Sequence, residues 1–345
     1  MKTTAAVLTE LGKPLNLVEI ETPVLQAGQA LIEVLVSGVC KTQLLETRGF
    51  RGEDKFLPHC LGHEGVGVVK EIGPGVRKVK VGDQVVLSWM KGSGIEVPGT
   101  QYAWNGKKVN SGAITTFGRH SVLSENRLTV VPKDIPLKEA ALFGCALPTG
   151  MGAVLNTARV QAGQSIAIFG TGGVGLFSVA AAAVAGCAPV IAVDVNPMKL
   201  EAAKKVGATH TVLAGENTLK ELAALVPGGL DFAIEASGAP PAMQMAIECV
   251  RPRGGTAVVI GNAKFGSMLE INPRQLNDGK RLLGTWGGDN EPDVHFPRYF
   301  KLFQTGRLKL DIFTTSVYPL SKINQALDDL EAGKVVRPLI DMTMN

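Results

Sequence analysis

Three side chains that can bind a transition metal stand in short glycine-containing segments of the N-terminal half. They are Cys40 in SGVCKT, His63 in LGHEGVG and Cys145 in FGCALPTG. Two thiolates and one imidazole suit zinc, and three protein ligands leave the fourth tetrahedral position open for catalysis. Taken singly, each has a plainer explanation, because a buried cysteine is usually a small apolar filler. The residue types therefore indicate a zinc site only as a set.

A second candidate site is the glycine-rich segment at residues 170–175, with the sequence GTGGVG. It follows the apolar run at 164–169 and precedes the alanine-rich run at 176–185. In a dinucleotide-binding turn, Gly170 makes the tight turn, Gly172 lets the backbone approach the pyrophosphate, and Gly175 lets the helix pack closely on the strand. The helix that follows, which includes Gly173 and Val174, directs its positive end at the phosphates. A glycine turn that binds no nucleotide is the alternative.

An acidic residue supports the nucleotide hypothesis. Asp194 ends the next apolar run, 19 residues after Gly175. Its carboxylate would accept hydrogen bonds from the adenosine ribose hydroxyls, and its charge would repel a 2′-phosphate. Val195 and Asn196 follow it, where a phosphate-binding variant would carry a cation. The sequence therefore favours NAD over NADP.

Length, charge and cysteine usage exclude several classes of protein. The chain has 345 residues, of which 45% are hydrophobic, which is enough for two domains with ordinary cores. The formal charge is +4, and Lys and Arg are scattered, so we expect no nucleic-acid partner. The first residues lack the apolar core of a signal peptide, and no run approaches about 20 apolar residues, so we expect no membrane partner. Five cysteines without a CxxC pair predict reduced thiols and a cytoplasmic location.

The pattern of apolar runs changes near residue 150. Before it, short runs at 30–36, 65–72 and 84–88 are bounded by glycine and proline, which predicts a mostly β half. After it, predicted strands at 164–169, 189–193, 230–235 and 256–260 alternate with helices, one of which begins at Asn196-Pro197 and ends at Gly207. That alternation predicts a parallel sheet covered by helices. A final helix at 321–332 and a strand at 335–340 are predicted to return to the first domain.

Over essentially its whole length the chain resembles the zinc-containing medium-chain alcohol dehydrogenases. Six motifs carry the resemblance in the family's order: GVC at 38–40, GHEGVG at 62–67, VGDQV at 81–85, CALPTG at 145–150, GTGGVG with Asp194, and GTWGG at 284–288. The resemblance implies an α/β protein with a GroES-like, mostly β catalytic domain and a Rossmann doubly wound parallel sheet. The implied domains are 1–147 (catalytic), 148–287 (NAD-binding) and 288–345 (a segment completing the catalytic domain).

The resemblance also implies an activity, the transfer of hydride between NAD(H) and a small alcohol or its aldehyde or ketone. It implies a homodimer or homotetramer. By their matching positions, Cys40, His63 and Cys145 would bind the catalytic zinc, with the acid Glu64 beside the metal and the Thr42 hydroxyl taking the substrate proton. The other implied roles are cofactor contacts for Lys41, Thr149, Val174, Lys199, Gly261 and Arg337, and a substrate-pocket wall for Trp89.

The chain departs from the family pattern at three places. Many members carry four closely spaced cysteines that hold a structural zinc, whereas residues 88–111 contain none, so we predict one zinc per chain. Leu45 stands where a proton-relay histidine is usual, and Gln43 stands where an aspartate usually orients the zinc-bound histidine. Two alternatives stay open: a zinc-free reductase of activated C=C bonds that uses NADPH, and a non-catalytic relative.

Overall fold

The computed structural model describes residues 1–344, which form two compact units. Unit 1 comprises residues 1–145, 291–306 and the chain from 310 onward. Unit 2 comprises residues 146–290 and 307–309. The domain limits given above are predictions that these bounds do not test.

Unit 1 is built on short strands, as the glycine- and proline-punctuated half predicts. A closed barrel has the order β1-β2-β7-β8-β4, and a second sheet has the order β10-β6-β5-β3-β18-β17, with β9 also paired to β3. The elements are β1 (Lys2–Leu8), β2 (Asn16–Glu21), β3 (Gln29–Gly38), α1 (Lys41–Thr47), β4 (His59–Cys60), β5 (Glu64–Ile72), β6 (Gln84–Ser88), β7 (Gln101–Trp104), β8 (Lys107–Asn110), β9 (His120–Ser124), β10 (Leu128–Val130), α2 (Leu137–Ala141), α9 (Pro292–Gln304), β17 (Val317–Pro319), α10 (Ile323–Glu331) and β18 (Leu339–Asp341).

The core of unit 1 explains why β3 is central. Its residues alternate between the two sheet faces, and Ile32 and Val34, which share one face, are almost completely buried. Leu8, Leu87 and Leu327 belong to the same apolar cluster. Because β3 pairs with β5 on one side and with β9 and then β18 on the other, it fixes the strand ends around it.

Unit 2 is a doubly wound parallel sheet with the strand order β13-β12-β11-β14-β15-β16. Central strands such as β11, with the sequence IAIF, and β12, with VIAVD, are buried on both faces, as a helix-covered parallel sheet requires. The order reverses between β11 and β14, which is where such sheets bind nucleotides. The elements are α3 (Ala146–Gly152), β11 (Ile166–Phe169), α4 (Gly173–Ala185), β12 (Val190–Asp194), α5 (Pro197–Lys205), β13 (His210–Leu213), α6 (Thr218–Leu225), β14 (Phe232–Glu235), α7 (Pro240–Cys249), β15 (Thr256–Val259), α8 (Pro273–Asn277) and β16 (Arg281–Gly284).

Several predicted boundaries are wrong by a few residues. The last strand is Leu339–Asp341 instead of 335–340, because Pro338 has no N–H to donate and its carbonyl instead accepts a hydrogen bond from Val39 N at 2.9 Å. Helix α4 begins at Gly173 instead of residue 176, since the end of the glycine turn is already helical. Helix α5 starts as predicted, with the Asn196 side chain accepting from Met198 N at 2.9 Å.

One feature of the helices bears on membranes. Within residues 1–344 no single helix is both long and apolar enough to cross a bilayer. The bent pair Leu137–Gly144 and Ala146–Ala158 reaches that length and composition only when the two are joined.

Candidate metal centre and nucleotide-binding turn

Strand register in unit 1 brings the predicted metal ligands to one sheet edge. Ser37, near the end of β3, pairs with Gly65, near the start of β5. Cys40 just after β3 and His63 just before β5 therefore leave the sheet side by side. The register predicts this juxtaposition although the two residues are 23 positions apart in the chain.

Gly144 brings the third ligand to the same edge. A Cβ at Gly144 would collide with the Leu87 carbonyl and the Glu64 backbone, so only glycine lets the chain pass this close to β5 and β6. Ser88 Oγ donates to the Gly144 carbonyl at 2.7 Å and holds this approach. Cys145, the next residue, thereby lies next to His63.

The three ligand atoms match a metal centre in type and spacing. The Cys40 and Cys145 sulfurs and a His63 ring nitrogen all lie within 4.8 Å of one another, and His63 Nε2 is 3.2 Å from Cys145 Sγ. Zinc bonds of about 2.0–2.3 Å place tetrahedral ligands about 3.5–4 Å apart. Both cysteines are buried and His63 is half-buried. The donor set therefore fits zinc.

The electrostatics favour the metal-binding form of Cys40. The pKa of its thiol lies well below the usual range, because Cys145 hydrogen-bonds to the sulfur and the positive charge of Arg337 and the His63 ring act in the same direction, against the opposing effect of burial. A thiolate is the form that coordinates a metal.

Glu64 and Arg337 form a buried ion pair beside the centre. Arg337 Nη2 contacts Glu64 Oε1, and the two side chains are 3% and 0% exposed. Gly38 leaves the space that the Glu64 carboxylate fills, since a Cβ there would occupy the same volume. Glu64, the predicted acid beside the metal, and Arg337, the predicted cofactor cation, thus contact each other. The sequence did not predict this contact because the two residues are far apart in the chain. The pyrophosphate contact of Arg337 stays a prediction.

Gln43 supports His63 directly. Its side-chain nitrogen is 2.5 Å from His63 Nδ1, and its oxygen accepts a hydrogen bond from Cys40 N at 3.1 Å. A metal-bound histidine usually donates its second N–H to a carboxylate or carbonyl. Because the amide oxygen of Gln43 is already used by Cys40, Gln43 supports the histidine differently from an aspartate.

The remaining predicted residues of this unit lie around the centre. Thr42 is the second residue of α1, with Oγ1 3.8 Å from Cys40 Sγ, and Lys41 precedes it on the surface. Trp89 follows β6, whose last residue Ser88 pairs with Glu64, the residue after His63. Its partly buried side chain packs against the unit 1 core.

A cavity behind His63 was not predicted from the sequence. It has a volume of about 490 Å³ and is lined by Gln43, His63 and mostly polar or charged side chains that include Glu46, Arg51, Asp54 and His59. His59 Nε2 lies 2.6 Å from Asp54 Oδ2. Several of these charged residues lie close together in the chain, between Glu46 and Lys55, but their spacing does not show that they surround a cavity.

In unit 2 the glycines of residues 170–175 occupy the turn between β11 and α4. Gly170 has a φ of +85°, and a Cβ on it would meet Ser237 at 2.6 Å. A Cβ on Gly175 would collide with the Gly170 carbonyl, whereas a Cβ on Gly172 would meet nothing within 4 Å. Two glycines are thus required by the protein itself, and Gly172 leaves open space where a phosphate can approach backbone. This turn fits a dinucleotide.

Asp194 has a structural role beyond the predicted one. Its Oδ2 accepts from Thr171 N at 2.6 Å and Thr171 Oγ1 at 3.1 Å, and Oδ1 accepts from Asn196 N at 2.9 Å. The acid therefore fixes the turn itself. Thr171 was missed because its position inside the motif is variable in type.

Four further predicted cofactor residues lie in unit 2. Thr149 is buried in α3, and within the described chain its Oγ1 has no hydrogen-bond partner. A bound ligand can donate a hydrogen bond to this hydroxyl or accept one from it. Val174 and Lys199 are half-buried on α4 and α5. Gly261 follows β15 and donates its N–H to the Glu235 carbonyl at 3.0 Å.

Known families match both units. Residues 26–133 match the family described as alcohol dehydrogenase GroES-like domain, and residues 173–304 match the family described as zinc-binding dehydrogenase. An S-(hydroxymethyl)glutathione dehydrogenase of Synechocystis is 34% identical, with 99% of this chain and 100% of that protein covered. An alcohol dehydrogenase class-3 of Cereibacter sphaeroides is 31% identical over the same shares.

Solved structures agree. A benzyl alcohol dehydrogenase of Acinetobacter calcoaceticus superposes with a TM-score of 0.91 at 28% identity, covering 99% of this chain and 100% of that one. An alcohol dehydrogenase zinc-binding domain protein of Burkholderia ambifaria has a TM-score of 0.91 at 29% identity, covering all of both chains.

A GroES-like unit with a Cys-His-Cys centre and a Rossmann unit with a glycine turn together define a zinc-binding dehydrogenase. The chain belongs to the zinc-dependent medium-chain dehydrogenase family. It is an oxidoreductase that uses zinc and NAD to interconvert alcohols and carbonyl compounds. The predicted family, fold class, activity and cofactors are thereby confirmed.

Proposed function

We propose that the centre formed by Cys40, His63 and Cys145 is the catalytic zinc site, one per chain. The observation that carries this proposal is the convergence of two sulfurs and one ring nitrogen within 4.8 Å. Zinc bound there supplies Lewis-acid chemistry that lowers the pKa of a substrate hydroxyl. Thr42, which lies beside Cys40, accepts the proton of that hydroxyl, and Trp89 forms a wall of the substrate pocket.

We further propose that the chain from 148 to 287 binds NAD and that 1–147 with 288–345 carries the catalysis. Backbone N–H groups of the glycine turn bind the pyrophosphate, and the Asp194 carboxylate binds the adenosine ribose. Thr149 and Val174 pack on the nicotinamide. Lys41, Lys199, Gly261 and Arg337 complete the cofactor contacts.

The substrates we propose are primary alcohols and their aldehydes. Two similar proteins, the S-(hydroxymethyl)glutathione dehydrogenase and the benzyl alcohol dehydrogenase, are named for substrates in which a CH₂OH group is oxidised. Cys145 also stands where polyol dehydrogenases often carry a glutamate. A pocket that accepts CH₂OH need not accommodate a second carbon substituent on the reacting atom, so secondary alcohols should be poor substrates.

The test is a substrate panel on purified protein of measured zinc content. We expect about one zinc per chain and NAD reduction with benzyl alcohol and S-(hydroxymethyl)glutathione. 2,3-Butanediol and inositol, which carry only secondary hydroxyl groups, should react with kcat/KM values at least about 100-fold lower, a difference of about 2.7 kcal/mol. Faster turnover of the secondary alcohols would overturn the substrate assignment, and a second zinc would show a structural site.

We also propose a cytoplasmic homodimer or homotetramer. The five cysteines are free, as in a reducing compartment. Strand β16 is a sheet edge of unit 2, and large apolar side chains in the segments that join β15 to β16 and follow β16 are highly exposed, namely Trp286 (80%), Phe265 (81%) and Met268 (84%). Exposed apolar side chains beside a sheet edge suit a contact between subunits. Light scattering on Trp286→Lys should show a smaller assembly than wild type, whereas Val24→Lys, at an equally exposed apolar residue of unit 1, should not.

A further inference from the structure

Helix α1 carries an ionisable group next to the position that lacks a relay histidine. Leu45 is buried and cannot carry a proton, but Glu46 follows it. Thr42 and Glu46 are four residues apart on α1 (Lys41–Thr47), so they occupy the same helix face with Cβ atoms about 5–6 Å apart. The side chain assigned to the substrate proton and a side chain with a carboxyl group therefore leave the helix on the same face.

Glu46 also connects that face to solvent. Its side chain is 24% exposed, lines the 490 Å³ cavity behind His63, and accepts a hydrogen bond from Arg51 Nη1 at 3.0 Å. Arg51 is itself 55% exposed at its side chain. Burial raises the pKa of Glu46 from its ordinary value. A carboxyl with a raised pKa and a route to water suits transient protonation.

We propose that Glu46 replaces the missing histidine as the proton acceptor between Thr42 and solvent. The proposal rests on the proposed function of Thr42. When an alcohol is oxidised, its hydroxyl proton passes to Thr42 Oγ1 while Thr42 gives its own proton to the Glu46 carboxylate, directly or through one water. Glu46 then releases that proton into the cavity. One proton leaves for each hydride that NAD accepts.

Other charged groups at the cavity are less suited to this role. His59 and Asp54 are paired with each other, and His59 Nδ1 lies 3.2 Å from the Cys60 carbonyl. Glu53 and Lys55 are exposed and lie outside α1. The charges that act on Glu46 are Arg51, His59 and His63, which favour its ionised form, and Cys40, which opposes it.

The first test compares Glu46→Gln with Glu53→Gln, which removes the same charge from the rim of the same cavity. In stopped-flow experiments on the zinc- and NAD-loaded enzyme, a pH indicator reports proton release and absorbance reports NADH. Wild type and Glu53→Gln should release the proton together with hydride transfer. In Glu46→Gln, proton release should slow by about 100-fold, the usual contribution of a positioned acid or base. Small buffers such as imidazole should restore the rate in Glu46→Gln only.

A second readout does not depend on turnover. Infrared difference spectra across a pH titration should show one protonated carboxylic acid band that titrates at higher pH than the exposed carboxyl groups. That band should disappear in Glu46→Gln and persist in Glu53→Gln. Unchanged proton release in Glu46→Gln, equal slowing in Glu53→Gln, or survival of that high-pH band in Glu46→Gln would each overturn the relay. A wild-type enzyme that reduces no NAD with any alcohol would instead overturn the proposed function, while the infrared band would still decide whether Glu46 takes up a proton.

Discussion

The metal centre is formed by side chains that are distant in sequence, whereas the nucleotide-binding turn is formed by consecutive residues and their backbone. The centre collects three side chains from residues 40, 63 and 145, and it depends on the register of β3 with β5 and on the close approach of Gly144. The turn uses six consecutive residues, and the groups proposed to bind the cofactor there are backbone N–H groups. The centre is therefore sensitive to the identity of side chains, and the turn is sensitive to the addition of any side chain.

The two regions also differ in how they are supported. Gln43 and the Glu64–Arg337 ion pair surround the metal ligands with polar contacts from other elements. The turn is held mainly by Asp194, which ends the adjacent strand β12. Substitutions in the two regions should therefore have different consequences.

Replacing Cys40 by alanine should abolish turnover while sparing the turn. We expect loss of zinc and a fall in rate beyond the roughly 10- to 100-fold that loss of an outer partner costs. NADH affinity should stay within about twofold of wild type, because the turn lies in the other unit. Metal analysis, initial rates and NADH fluorescence titration measure these outcomes. Cys249→Ala, at a half-buried cysteine outside the centre, is the control. Retention of zinc by Cys40→Ala would refute the ligand assignment.

Replacing Gln43 by alanine should weaken the centre without removing it. His63 and the Cys40 N–H both lose a hydrogen-bond partner, so zinc affinity should fall by about 10- to 100-fold. Competition with a chelator measures the change. Gln29→Ala removes a buried amide from β3, where the side chain contacts Thr100, and should leave zinc affinity unchanged. Equal losses in both variants would mean that the effect is one of folding.

Gly172→Ala tests the nucleotide-binding turn. The new methyl group meets no protein atom within 4 Å, so the melting temperature should hardly change. The methyl group would occupy the space open to the pyrophosphate, and the Kd for NAD should rise about tenfold, or about 1.4 kcal/mol. Gly215→Ala has equally open space outside residues 170–175 and serves as the control. Unaltered NAD binding in Gly172→Ala would place the cofactor elsewhere.

Asp194→Asn should have the smallest effect. It removes the charge that opposes a 2′-phosphate but keeps a group that can bind the Thr171 N–H. We expect the NADP-to-NAD ratio of kcat/KM to rise about fivefold, which corresponds to about 1 kcal/mol. Asp231→Asn removes the same charge just before β14, at the amino-terminal ends of the parallel strands, whereas Asp194 lies at the carboxyl end of β12. It should leave the ratio unchanged. A similar rise in both variants would reduce the effect to net charge.

Much of the fold could be predicted because its signals are local. The apolar runs before and after residue 150 predicted a β-rich half and a parallel sheet, and both are present. Boundaries were less accurate where one residue interrupts the pattern. Pro338 shortens the last strand, and Gly173 starts its helix within the motif. Such limits depend on hydrogen bonds to distant partners such as Val39.

The metal centre was predicted in composition but not in surroundings. Cys40, His63 and Cys145 were selected from their types and from the family resemblance, and the structure places their ligand atoms together. The contact of Glu64 with Arg337 and the cavity beside Glu46 had no sequence signal. The ion pair and the cavity each involve residues that are distant in sequence, and the spacing of residues along the chain does not predict such contacts.

Local backbone conformations can be predicted from the sequence alone, because residues adjacent in the chain impose them on one another. The positive φ of Gly170 and the helix start at Asn196-Pro197 depend on a few adjacent residues and their backbone hydrogen bonds. Which side chains come into contact depends on the tertiary structure. A shift of one residue in the register of β3 and β5 would direct Cys40 and His63 apart. Local geometry is encoded within a few bonds, whereas convergence depends on register between strands that are remote in the chain.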